Sequence, residues 1–158
     1  CLYLGAGHGT SLSHIHDQVC GADNQKGGRI IAVDLSPRCL RDLVHLSKIR
    51  PGLVPVLGDA RKHSAWGVMV STKVDWLLQD VSQAGQAEIF IKSVKRFLKP
   101  GGKGLLSLKA ASERFTDTNE REVFNQIREQ LEDAGLTVQE QIDLHGLEDN
   151  HCLYYITK

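Results

Sequence analysis

Short apolar runs alternate with amphipathic stretches along the whole chain. Runs at residues 2–4, 30–33, 53–57, 74–78, 105–108, 138–142 and 152–156 are rich in Val, Ile, Leu and Tyr and bounded by polar or glycine-rich segments, so they read as strands. Between them the spacing turns helical. Ala87, Phe90, Ile91, Val94, Phe97 and Leu98 recur three and four residues apart and form one apolar face, and Lys99-Pro100-Gly101-Gly102 is the signal that ends this helix. Another helix opens at Ser36-Pro37, with Ser36 as N-cap and Pro37 in the first helical position, and turns Leu40, Leu43 and Val44 inward. A third carries Val123, Phe124, Ile127, Leu131 and Ala134 and stops at Gly135.

Strand–helix alternation predicts βαβ units and a parallel sheet covered on both faces. The runs at 138–142 and 152–156 have no helix between them, so they form an antiparallel pair at the end of the sheet. Pro55 lies inside the third run, and proline cannot donate to a central ladder; the third strand therefore belongs at an edge.

The length of 158 residues suits one domain with a single core, here residues 1–158. Lys plus Arg and Asp plus Glu are 19 each, so bulk charge gives no reason to expect a nucleic-acid partner, and RNA contact would need a local patch or another subunit. Lys92, Lys95, Arg96, Lys99 and Lys103 form such a stretch, although cations near a helix C-terminus also complement its dipole. No apolar run reaches the roughly 20 residues of a membrane span, which predicts a soluble protein with no membrane role. Cys1, Cys20, Cys39 and Cys152 are scattered and read as reduced thiols, and His14-Ile15-His16 reads as solvated or capping rather than metal-binding, so no metal is expected.

The chemistry gathers at the strand ends. The first strand runs into Gly5-Ala6-Gly7-His8-Gly9-Thr10-Ser11 and then a helix, a turn that lets backbone approach a ligand and offers N–H groups at a helix start. A dinucleotide fingerprint needs glycine at position 10, where this chain has Thr10; that disfavours a nicotinamide oxidoreductase and suits S-adenosylmethionine, which has no pyrophosphate. Asp34 ends the second strand, placed for ribose hydroxyls. Asp59-Ala60 follows the third, at the adenine edge, and Asp80 closes the fourth. Three acids at successive strand ends also suit a sulfonium cation. Each has a plainer reading as a cap or turn residue; together they point to a methyltransferase.

Specific stretches resemble the fibrillarin family. Leu2-Tyr3-Leu4-Gly5-Ala6-Gly7-His8-Gly9-Thr10-Ser11-Leu12-Ser13-His14 is similar to its first cofactor motif, and Ala32-Val33-Asp34-Leu35-Ser36-Pro37-Arg38 to its second. Pro55-Val56-Leu57-Gly58-Asp59-Ala60-Arg61 and Gln79-Asp80-Val81-Ser82-Gln83, with Gln86, follow in family order, as do Leu108-Lys109 and Asp149-Asn150-His151. The resemblance implies the class I methyltransferase fold, an α/β architecture whose seven-stranded, mostly parallel sheet has the order 3-2-1-4-5-7-6. It implies S-adenosylmethionine-dependent 2′-O-methylation of ribose in rRNA, and in tRNA, guided by box C/D RNA. Partners implied are that guide RNA, a Nop-type scaffold and a kink-turn-binding ribosomal-protein-like subunit. The location would be cytoplasmic in an archaeon and nucleolar in a eukaryote.

For the cofactor, the resemblance implies the turn glycines Gly5, Gly7 and Gly9 with Thr10 and Ser11 at the methionine end, Asp34 and Leu35 at the ribose, Asp59 and Ala60 at the adenine. Asp80, Val81, Ser82 and Gln83 would border the sulfonium. Asp80, Lys109 and His151 match three members of a Lys-Asp-Lys-His catalytic set. Lys109 would bind and deprotonate the 2′-hydroxyl, Asp80 orient it, and His151 hold the substrate. The set's first lysine precedes the first strand, where this sequence begins, and the family's small N-terminal domain is missing too; cofactor binding with weak or no transfer is the expectation for this stretch alone. His8, Ser82 and Asp34 depart from the family pattern. Other acceptors, a small molecule or a protein glutamine, and a non-catalytic assembly module remain alternatives.

Overall fold

The computed structural model describes residues 1–113 and 119–158. In chain order these form β1 (Leu2–Leu4), α1 (Thr10–Val19), β2 (Ile30–Asp34), α2 (Pro37–Ser47), β3 (Leu53–Leu57), α3 (His63–Trp66), β4 (Val74–Asp80), α4 (Gln86–Phe97), β5 (Leu98–Lys109), α5 (Glu120–Asp133), β6 (Thr137–Asp143) and β7 (His151–Thr157). The seven strands line up as β3-β2-β1-β4-β5-β7-β6, the order that the family resemblance implies. The chain divides into two compact units, Cys1–Val74 and Asp75–Lys158.

In the first unit, β1, β2 and β3 pair in parallel, with Tyr3 opposite Ala32 and Ala32 opposite Pro55. Pro55 does lie on the edge strand, where its missing N–H costs no ladder bond. Leu2, Leu4, Ile30 and Leu43 are fully buried among these elements. Ser36 caps α2 by accepting a hydrogen bond from the Cys39 N–H at 3.4 Å, and Pro37 takes the first helical position, as its fixed φ favours. Val44, expected to face inward, is 42% exposed, because the helix turns Leu43 rather than its neighbour onto the sheet. His16 corrects another expectation: it is buried, with Nε2 at 2.9 Å from the Pro51 carbonyl and Nδ1 at 3.3 Å from Arg50, so it ties α1 to the turn before β3.

In the second unit, β5 pairs antiparallel with β7 and β7 with β6, where an irregularity separates Val138 from Glu140. Leu106, Leu108, Tyr154 and Ile156 bury one face of this sheet, and the Tyr154 hydroxyl donates to the Phe124 carbonyl of α5 at 2.8 Å. The α4 helix ends one residue early: Leu98 already belongs to β5, and Pro100-Gly101-Gly102 lies within the strand instead of ending a helix in a loop. Those glycines exchange hydrogen bonds with Lys158, Gly101 N–H to its carbonyl and its N–H to Gly102. The Lys158 ammonium in turn meets the Val94, Lys95 and Leu98 carbonyls at 2.8–3.0 Å, satisfying the end of α4. The basic stretch across α4 and β5 is largely engaged: Lys92 of α4 pairs with Glu88, while on β5 Lys99 pairs with Asp75 and Lys103 donates to Thr157.

Candidate active site

Within the first unit, the turn after β1 is held by its neighbours on both sides. The Gly5 and Ala6 N–H groups donate to the Val33 carbonyl at 2.8 and 3.3 Å. Gly9 has φ +95°, and a Cβ there would stand 2.7 Å from Leu46 Cδ2, so both conformation and space require glycine. Gly7, at φ +56°, has no heavy atom within 4 Å of where a Cβ would be; the turn opens to space on that side. The α1 helix starts at Thr10 behind Gly9, without a side-chain cap. Its first N–H groups therefore face whatever the turn holds.

Asp34 ends β2 with both oxygens aimed by backbone. Oδ2 accepts from the Gly7 N–H and Oδ1 from the Ser36 N–H, each at 2.8 Å. A carboxylate oxygen has a second lone pair, so a carboxylate fixed this way still has acceptor capacity for two vicinal hydroxyls. Leu35 beside it is 60% exposed, an apolar surface next to a polar clamp. Asp59 is turned otherwise. Arg61 grips its carboxylate through Nε and Nη2, the latter at 2.7 Å, and this hydrogen-bonded guanidinium holds the Asp59 carboxyl down at about 2. The Trp66 indole N–H donates to the Asp59 carbonyl at 2.7 Å, and Ala60 is buried. His8 points outward to Asp42, Nδ1 to Oδ2 at 2.7 Å.

Within the second unit, Asp80, Lys109 and His151 come together on one sheet face. Lys109 is the register partner of His151 across β5 and β7. The Ala110 N–H, not that of Lys109, donates toward β7, to Asn150 at 2.8 Å. Lys109 and His151 are thus a non-hydrogen-bonded pair, the kind whose side chains lie closer. Ser107, two residues before Lys109 and on the same face, hydrogen-bonds Asp80. His151 is 8% exposed; its Nδ1 lies 3.0 Å from the Asp149 carbonyl and its Nε2 3.5 Å from Glu148. A carbonyl only accepts, so Nδ1 carries the proton.

Asp80 is exposed to solvent as a residue, yet protein packs around its carboxyl closely enough that desolvation pushes it up, and the Glu148 charge pushes it further. His151, the Ser107 hydroxyl and Lys109 work against that rise. A carboxylate with raised basicity beside an ammonium and an imidazole is an arrangement suited to moving a proton. Ser107 and Glu148 were not singled out from sequence: a serine in a strand and an acid in a turn carry no local signal until the fold closes them on Asp80. Val81, Ser82 and Gln83 follow Asp80 in the connection to α4, with Ser82 exposed. Among the described residues no group of His, Cys, Asp and Glu could hold a metal ion, and no helix is long and apolar enough to cross a membrane.

The fibrillarin family model matches residues 1–158. A fibrillarin-like rRNA/tRNA 2′-O-methyltransferase of Methanocaldococcus jannaschii is 37% identical over 153 residues, covering 97% of this chain and 63% of its own length. Among solved structures, Aeropyrum pernix fibrillarin with natively bound S-adenosyl-L-methionine superposes with a TM-score of 0.80 at 32% identity, covering 98% of this chain and 64% of that one. A fibrillarin/Nop5p complex matches with a TM-score of 0.84 at 30% identity, covering 98% and 70%. This chain thus spans a little under two thirds of the first two proteins. With the family model matching residues 1–158 and a relative 37% identical across 97% of the chain, the chain belongs to the fibrillarin family.

Proposed function

We propose that this chain is the catalytic part of an S-adenosylmethionine-dependent RNA 2′-O-methyltransferase acting on rRNA or tRNA. The observation that carries the reading is the Asp80–Lys109–His151 cluster, with its raised Asp80 carboxyl, in a chain that also holds the Asp34 clamp. The relatives' names support the activity, and the solved relatives support the donor and a Nop-type partner. Guide RNA and a kink-turn-binding subunit complete the proposed assembly.

The Asp34 clamp fits the donor. Its two oriented oxygens accept the ribose hydroxyls, exposed Leu35 offers apolar surface beside them, and the Thr10 and Ser11 end of α1 faces the donor's carboxylate. Asp59 and Ala60 border the adenine, with the carboxylate fixed by Arg61. The donor, when bound, supplies an electrophilic methyl group on a sulfonium.

A ribose hydroxyl is a very weak acid, so its proton must leave as the carbon–oxygen bond forms. Asp80, its carboxyl raised above the ordinary value by burial, lies beside Lys109 and takes that proton. Lys109 binds the hydroxyl oxygen. His151, its Nδ1–H committed to the Asp149 carbonyl and its Nε2 3.5 Å from Glu148, holds its ring beside the reacting groups. Positioning supplies much of the rate, which is why these groups sit on paired strands rather than loops.

The test is methyl transfer from labelled donor by the full-length protein assembled with scaffold, kink-turn subunit and guide RNA. Label is expected on a target RNA with a ribose at the guided position and absent from one with 2′-deoxyribose there. Equal labelling of both, or label on protein alone, would overturn the assignment.

A further inference from the structure

We propose that Gln86 is a positioning residue for this cluster, its carboxamide standing in for a strand neighbour and fixing the main chain from which Lys109 projects. The inference rests on the methyl-transfer reading above.

A residue in a β-strand offers its N–H and C=O to one side. Those of Lys109 point away from β7, and both are taken by one side chain: the Lys109 N–H donates to Gln86 Oε1 and Gln86 Nε2 donates to the Lys109 carbonyl, each at 3.0 Å. A primary amide carries donor and acceptor on one rigid plane, the same pair a peptide group would offer. Glutamate has no donor when ionised and lysine no acceptor, so only an amide makes both bonds, and asparagine is one methylene shorter.

Gln86 is itself immobilised. It is fully buried at the first position of α4, and its carbonyl accepts from Gln79 Nε2 at 2.7 Å. Gly85, in the left-handed region at φ +77°, gives α4 no side-chain cap. Glu113 fills that role from the turn after β5, accepting from the Gly85 and Gln86 N–H groups at 3.1 and 2.6 Å. The segment that carries Lys109 therefore returns four residues later to hold the helix whose first side chain holds Lys109. Gln79 extends the chain of bonds to the residue before Asp80. Asp80 and Lys109 are thereby tied through main chain as well as through their own charges. Loss of the Gln86 amide lets the Lys109 main chain shift relative to Asp80 and His151 without removing any group that touches substrate.

Two measurements on the full-length chain in its assembled complex test this. Gln86→Met keeps the volume and removes both bonds; Gln86→Glu keeps only the acceptor. We expect kcat to fall about 100-fold in Gln86→Met, the scale of a misplacement near 1 Å, with KM for the donor within about twofold. Gln86→Glu should fall between it and wild type. A mere packing role would change melting temperature while leaving kcat in the surviving folded enzyme unchanged, and that result overturns the proposal. Should the variants fail to fold, hydrogen exchange of the wild-type protein decides: the Lys109 amide and the Gln86 side-chain amide should persist in D2O as long as core strand amides, and exchange at loop rates overturns the proposal. Wild-type enzyme without transfer activity would instead fail the methyl-transfer reading itself, and with it the kinetic role of Gln86, whatever the exchange result.

Discussion

Asp59 follows β3 and Asp80 ends β4, yet their surroundings push them in opposite directions. In the first unit, Arg61 holds Asp59 far below the usual carboxylate range, at about 2, so it stays ionised under any working condition. In the second, burial and Glu148 raise Asp80. Where environments drive two like groups apart, their roles differ. The first unit's acids are built as fixed acceptors, Asp34 aimed by two backbone N–H groups and Asp59 by a guanidinium. In the proposed function the second unit's acid exchanges a proton, which puts binding and chemistry on different stretches of chain.

The largest expected effect breaks the chemistry and spares the binding. Lys109→Met should lower kcat about 1,000-fold, within the range for losing a general acid–base group, while calorimetry finds donor affinity unchanged. The converse is Asp34→Ala. Losing a charged acceptor costs about 2 kcal/mol, so donor affinity should fall about 30-fold with kcat at saturation largely kept. Loss of transfer with normal donor binding in that variant would contradict the division.

Asp80→Asn separates function from stability. A carboxyl raised in the fold contributes stability fully present only below its unfolded value near 3.8, and that contribution is lost as pH rises through the folded value. A neutral amide removes the penalty, so a thermal melt at pH 7 should show Asp80→Asn no less stable than wild type and inactive in transfer. Arg61→Ala carries the opposite sign. Asp59 adds stability above its unfolded value of 3.8, and loses it as pH falls toward about 2; urea unfolding from pH 5 to 2 should be flatter in the variant. The smallest expected change is from Glu148→Gln. Removing that charge lowers the Asp80 value, so the acid limb of the pH–rate curve should move to lower pH.

Much of the fold was legible because each strand carries its own mark. Pro55 named an edge, the absent helix before β7 named the antiparallel end, and Ser36-Pro37 named a helix start. The misreadings came where tertiary partners override local rules. Pro100-Gly101-Gly102 breaks a helix in isolation, but Lys158 pairs with it as a strand. His16 looks polar until Pro51 and Arg50 close over it. Asp80, Lys109 and His151 could be placed together because strand direction puts their ends at one edge. Glu148, Ser107 and the Gln86 clamp depend on side-chain reach across elements, which no spacing along the chain records.

One experiment tests the division of labour most directly: donor dissociation constant and single-turnover transfer rate, measured together across pH on the assembled full-length enzyme. We predict a dissociation constant flat with pH, because Asp59, held at about 2 by Arg61, is already ionised, and a rate that climbs as Asp80 loses its proton at a pH above its ordinary value. A rate independent of pH, or a donor affinity that rises and falls in step with it, would contradict the assignment of proton transfer to Asp80 and its neighbours.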